Sequence, residues 1–116
     1  MTGLRGVGVD LVAFSHLERV FSDSFRDAVF TPAEIEYAEA SGRPIEHYAT
    51  AFAGKEATCK AIGTGWTRGR DVEIRRTASG PPRVRFDGEL SGRDGSDLLL
   101  SLSADGEYAV GVAIYR

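Results

Sequence analysis

Residues 51–65 read Ala51-Phe52-Ala53-Gly54-Lys55-Glu56-Ala57-Thr58-Cys59-Lys60-Ala61-Ile62-Gly63-Thr64-Gly65, and this stretch sets the architecture of the 116-residue chain. Its alanines, with Pro44 upstream and Gly63 able to take a left-handed cap conformation, predict one long helix over residues 44–62. Small side chains on that helix permit close packing against a neighbour. The stretch also holds both lysines of the chain, Lys55 and Lys60, whereas the twelve other basic positions are arginine. Two compact ammonium groups flanking Glu56 suit a role that a planar guanidinium does not fill, so the stretch reads as the reaction centre.

Upstream, the apolar, glycine-punctuated residues 4–12 suit a first strand with Asp10 at its exit. Leu17, Val20, Phe21, Ser24, Phe25 and Ala28 then recur at helical spacing, and Ser15 with Glu18 forms a capping-box pattern, which predicts one helix starting near residue 15 or 16. Thr31, Pro32 and Glu34 occupy the N-cap, N1 and N3 positions of a second helix, with Phe30 stapled onto Ile35 and a stop at Gly42. Downstream, residues 72–76 and 83–87 flank the turn-forming TASGPP, and residues 98–103 and 108–115 flank Ala-Asp-Gly-Glu, as in two hairpins. The expected class is α+β: a single domain over 1–116 with three helices on one face of a mostly antiparallel sheet that includes the first strand. Residues 88–97 form the one polar stretch expected to be mobile.

Composition narrows the function. A net charge of −3 and a pI near 5.4 argue against wholesale nucleic-acid binding. A lone cysteine, Cys59, cannot form an internal disulfide, and MTGLRGVGVD lacks the apolar run of a signal peptide or membrane span, so a cytoplasmic protein is expected. A chain this short has little reserve for a large internal pocket, and a subunit interface would supply missing walls.

Asp10 and Glu56 are the strongest pair of carboxylates. Hard cations such as Mg²⁺ take one or two protein carboxylates and complete their shell with water and phosphate oxygens. Lys60 lies one helical turn beyond Glu56 and Phe52 one turn before it, so an ion ligand and a phosphate-seeking ammonium project together. The Gly63-Thr64-Gly65 turn lets backbone approach a ligand. On spacing alone, Glu56 and Lys60 also fit an ordinary surface pair worth about 0.2–0.5 kcal/mol. Asp10 also fits a turn, and Gly63 a simple helix cap. Cys59 reads as a small buried hydrophobe, His16 and His47 as isolated surface histidines, and Glu34, Glu36 and Glu39 as a solvated acidic face.

The order GVGVDLV, FTPAEIEYA, AFAGKEATCKAIGTG, VEI with a Gly-Pro-Pro turn, and SLSADGEYAVGVAI resembles the small holo-acyl-carrier-protein synthases, the trimeric group of 4'-phosphopantetheinyl transferases. The resemblance runs nearly end to end, and the KEAxxKAxGTG block with an upstream GxD is its most specific part. It implies that Asp10 and Glu56 hold Mg²⁺ against the pyrophosphate of coenzyme A, with Lys60 beside the phosphates and the attacking hydroxyl. It further implies that Arg43 reaches the nucleotide from a neighbouring subunit, and that residues 63–65 (Gly63, Thr64, Gly65), residues 80–82 (Gly80 to Pro82) and the strand position Ser103 contact coenzyme A. Arg19 and Arg26 are the implied contacts for an acyl carrier protein, and a homotrimer is the implied assembly.

The chain departs from this family at three positions. Ala104 stands where a histidine is usual, and Ala51 and His16 stand where arginines are usual. Two other functions therefore stay open: a non-catalytic, carrier-binding homologue on the same trimeric scaffold, and a nucleotide or phosphate hydrolase using the same carboxylates.

Overall fold

The structure, a computed structural model, describes residues 3–116; Met1 and Thr2, within the expected span 1–116, lie outside them. Strand β1 (Gly6–Ala13) runs directly into helix α1 (Phe14–Val20), which is followed by α2 (Asp23–Val29), α3 (Pro32–Glu39) and α4 (Pro44–Ile62). Strands β2 (Val72–Arg75), β3 (Arg83–Phe86), β4 (Leu98–Asp105) and β5 (Tyr108–Tyr115) complete the order. The α+β class holds, but the strands form two antiparallel sheets: a three-stranded one in the order β1-β5-β4, and a separate β2-β3 hairpin.

The three-stranded sheet has two unlike faces because side chains alternate along each strand. Gly8, Ala113 and Leu100 form one cross-strand row, and Asp10, Gly111 and Leu102 the next. This face receives α4 at very short range. A Cβ on Gly6 would lie 1.9 Å from the Ala61 carbonyl oxygen, one on Gly8 2.0 Å from that of Ala57, and one on Gly111 2.8 Å from Ala53 backbone. Ala53, Ala57 and Ala61 are spaced i, i+4, i+8, so one alanine ridge of α4 settles on glycines of β1 and β5. The opposite face carries Val7, Val9 and Leu11, all exposed.

Four α-helices form where three were expected. Residues predicted as one helix break at Phe21 and Ser22, both extended; Ser22 accepts from the Phe25 amide and caps a new helix. Ser15 does not cap: α1 starts at Phe14 behind Ala13, with no side-chain cap. The break gathers Phe21, Phe25, Phe30 and Tyr48 into one aromatic group, with ring centroids 4.8–6.4 Å apart. The capping box of α3 forms as expected, whereas α3 ends at Glu39 and not at Gly42. Gly63 takes φ 77° and ends α4. Residues 88–97 fold into two 3₁₀ turns, Gly88–Leu90 and Gly95–Asp97, with Leu90 buried in the core.

Glu34 is not on a solvated face. It is 2% exposed, and its Oε1 accepts from the Thr31 amide at 2.8 Å and from Lys55 Nζ at 2.7 Å, while Oε2 accepts from the Ile74 amide at 2.7 Å. Lys55, wholly buried, donates also to the Gly69 carbonyl at 2.8 Å and to that of Val72. The capping carboxylate of α3 thus ties α4 to β2. Burial pulls the Lys55 ammonium below its ordinary pKa, and Glu34 works against that pull. Among the described residues no helix is long and apolar enough to cross a membrane.

Candidate active site

Close contact between β1 and α4 delivers three of the expected groups to one place. Lys60 Nζ lies 3.2 Å from Asp10 Oδ1 and donates to the Val9 carbonyl at 2.9 Å. Asp10 and Glu56 both line a cavity of about 350 Å³ whose walls include His16, Leu17, Phe25 and Phe52. Burial first, and the Asp10 charge second, push the Glu56 carboxyl above the ordinary glutamate value, while Lys60 works against both. Phe52 stacks on Phe25 and meets Trp66, which makes one wall apolar.

This donor set suits a hard divalent cation. Both candidate ligands are carboxylates, they repel one another as the raised Glu56 pKa records, and a bound cation would relieve that repulsion. Among the described residues no third carboxylate, histidine or cysteine joins them in a metal cluster. Two protein carboxylates leave most of an octahedral shell to water and phosphate, which is the usual arrangement for Mg²⁺.

Lys55 does not belong to this centre. One residue along α4 from Glu56, it points the other way into the Glu34 network, so of the two lysines it is Lys60 that meets Asp10. Cys59 is buried as expected, and burial pushes its thiol up to about 11, which leaves it an inert thiol.

Pro82 and Ser103 come together elsewhere, lining a cleft of about 390 Å³ with Gly80, Thr50, His47 and Arg76. Helix geometry separates the two sites: residues 46, 47 and 50 leave α4 roughly 130° around the axis from residues 52, 56 and 60, taking about 3.6 residues per turn. One protomer therefore presents the carboxylates and the Pro82–Ser103 cleft on different faces. Arg43 lies near neither cluster; it caps the start of α4, pairs with Glu107 at 2.9 Å and covers the Phe14 ring at 5.0 Å. Gly63, Thr64 and Gly65 form the turn after α4, with open space where a Cβ on either glycine would lie. His47 is half-buried, edge-on to Tyr37, and burial and Arg76 hold its pKa below the ordinary value. Neither His47 nor Arg76 carries a sequence signal of a site: one is an isolated histidine, the other the last residue of the strand expected over residues 72–76, which the structure ends at Arg75.

Comparison with known proteins agrees with this geometry. The family description "4'-phosphopantetheinyl transferase superfamily" matches residues 6–113. A holo-[acyl-carrier-protein] synthase of Koribacter versatilis is 36% identical, over 96% of this chain and 97% of its own. One of Geotalea daltonii is 38% identical, over 96% and 97%. The crystal structure of the Neisseria meningitidis holo-[acyl-carrier-protein] synthase superposes with a TM-score of 0.86 at 27% identity, covering 98% of this chain and 99% of that one. The Bacillus anthracis synthase, solved in complex with coenzyme A (3',5'-ADP), gives 0.79 at 28% identity, covering 97% and 96%. With Asp10, Glu56 and Lys60 gathered at the junction of β1 and α4, the chain belongs to the 4'-phosphopantetheinyl transferase superfamily, in its holo-[acyl-carrier-protein] synthase group.

Proposed function

We propose that this protein moves the 4'-phosphopantetheine group of coenzyme A onto a serine of an apo acyl carrier protein and releases 3',5'-ADP. The observation that carries this reading is the meeting of Asp10, Glu56 and Lys60 beside one cavity. Asp10 and Glu56 would hold Mg²⁺, which when bound neutralises charge on the pyrophosphate. The serine oxygen forms the new P–O bond, the P–O bond to 3',5'-ADP breaks, and the serine proton goes to Glu56, directly or through a water. Lys60 Nζ, already turned toward Asp10, supplies a point charge for the phosphate oxygens.

The working unit is a homotrimer with its sites between subunits. The opposed directions of the two clusters on α4 favour this, since a neighbouring copy can set its Pro82–Ser103 cleft, or its Arg43, against the carboxylates. The exposed apolar row Val7, Val9 and Leu11 offers the surface for association. Arg19, exposed on α1 and free of any ion pair among the described residues, is the stronger carrier contact. Arg26 is already engaged by Asp27 at 3.0 Å and Asp23 at 3.6 Å.

Incubation with an apo carrier protein, coenzyme A and Mg²⁺, followed by mass spectrometry, tests the reading. The phosphopantetheine adduct is the expected product. Its absence on every fatty-acid, polyketide and peptide-synthetase carrier tried would leave the non-catalytic, carrier-binding alternative, and release of product without a carrier would favour the hydrolase.

A further inference from the structure

Arg76 follows β2 and lies against the outer side of α4, where Nη1 donates to Thr50 Oγ1 at 2.6 Å and Nη2 to the His47 carbonyl at 2.8 Å. Its guanidinium covers the Tyr37 ring at 4.4 Å. Nε is buried without a hydrogen-bond partner, and among the described residues no carboxylate forms an ion pair with the group. The protein thus holds a largely desolvated cation on neutral acceptors and a ring face alone. Desolvating a charge without a counter-charge costs several kcal/mol, so such a group is poised for an anion from outside the chain.

The cleft that this side chain lines is the one containing Gly80, Pro82, Ser103 and Ala104. Ala104 contributes only a methyl group there. Of the groups lining the cleft, Arg76 bears the permanent positive charge; His47 is held toward its neutral form, and Glu46 on the rim lies 4.0 Å from His47 Nε2. Resting on the transferase reading, we propose that Arg76 is the phosphate-binding cation of this cleft, taking a phosphoryl group of coenzyme A. Thr50, His47 and Tyr37 hold the guanidinium in place, so little conformational freedom is lost on binding.

Two phosphoryl sources on coenzyme A fit this chemistry, the 3'-phosphate and the pyrophosphate. Calorimetry with coenzyme A and with 3'-dephospho-coenzyme A, in Mg²⁺, on the wild type, Arg76→Gln and Arg76→Lys separates them. Arg76→Gln is expected to weaken coenzyme A binding by about 10- to 100-fold. Arg76→Lys keeps the charge but loses the fork, with an expected loss of about 5- to 10-fold. If dephospho-coenzyme A is insensitive to both changes, the 3'-phosphate is the ligand; if it weakens in parallel, the pyrophosphate is. Either folded variant binding coenzyme A within about threefold of the wild type overturns the assignment and leaves the transferase reading standing. A wild type that binds no coenzyme A overturns both. Arg76→Lys decides the matter alone if the neutral variant does not fold.

Discussion

Gly8 on β1 and Ala57 on α4 meet backbone to backbone, so that a Cβ on the glycine would lie 2.0 Å from the Ala57 carbonyl oxygen and 2.8 Å from Lys60 Cβ. This contact sets the separation of strand and helix, and with it the distance from Asp10 to Lys60. Gly8→Ala has no flexible side chain to displace and must push α4 outward. An overpacking cost of about 1–3 kcal/mol is expected, read as a lower urea midpoint, together with a loss of transferase activity in the folded fraction. Gly92→Ala is the control. Its Cβ would meet nothing within 4 Å, and its effect should stay within about 0.5 kcal/mol.

Glu56 links acidity to both stability and turnover. Its folded-state pKa is raised by burial and by Asp10, so the folded protein favours the protonated form more than the unfolded chain does. The stabilisation from this group is complete below the unfolded-state pKa and disappears as pH rises through the higher folded value. In metal-free buffer at neutral pH, Glu56→Gln should therefore unfold at a slightly higher temperature than the wild type. The same variant should lose about 10²- to 10⁴-fold in turnover and its response to Mg²⁺. The acid limb of the wild-type pH profile should sit above the ordinary glutamate range and move downward with added Mg²⁺. A wild-type limb unmoved by the metal would separate Glu56 from metal binding.

What the sequence made legible follows from where its signals are local. The box formed by Thr31, Pro32 and Glu34, the left-handed cap at Gly63 and the strand over residues 108–115 after its turn are short-range patterns, and all three appear where expected. Glu56 and Lys60 were legible because helix spacing places them on one face; Asp10, expected at a strand exit, stands instead inside β1, where the contact with α4 brings it to Lys60. The partners of Glu34 were not, since its capping-box role is written within four residues whereas its ion pair with Lys55 and its bond to Ile74 depend on tertiary packing. Arg76 was illegible for the same reason: its bonds to Thr50 and the His47 carbonyl span 26 and 29 residues of sequence.

The Glu34–Lys55 pair should behave as a stability element with little effect on chemistry. Lys55→Met leaves a buried carboxylate facing apolar groups and is expected to cost about 3–5 kcal/mol in denaturation. Adding Glu34→Leu should not restore the loss, because the amides of Thr31 and Ile74 would then lose their acceptor. In both variants the folded fraction should keep its kcat, because Lys55 points away from the cavity that holds Glu56. A large fall in kcat with unchanged stability would instead place Lys55 in the reaction.

Val9 tests whether activity depends on assembly. It is 55% exposed at the centre of the row formed with Val7 and Leu11, next to Asp10 in sequence but with its side chain on the opposite face of the sheet from α4. The change leaves the backbone carbonyl that Lys60 Nζ donates to in place and puts the new carboxylate on the far face, where three copies of it would set desolvated like charges into a trimer interface. The wild type is expected to sediment as a trimer and Val9→Asp as a monomer, with its melting temperature lowered only by the lost association. Its transferase activity should fall with the trimer, because a single protomer turns its carboxylates and its Pro82–Ser103 cleft in different directions. A monomeric Val9→Asp with full activity would show that one chain completes the site alone.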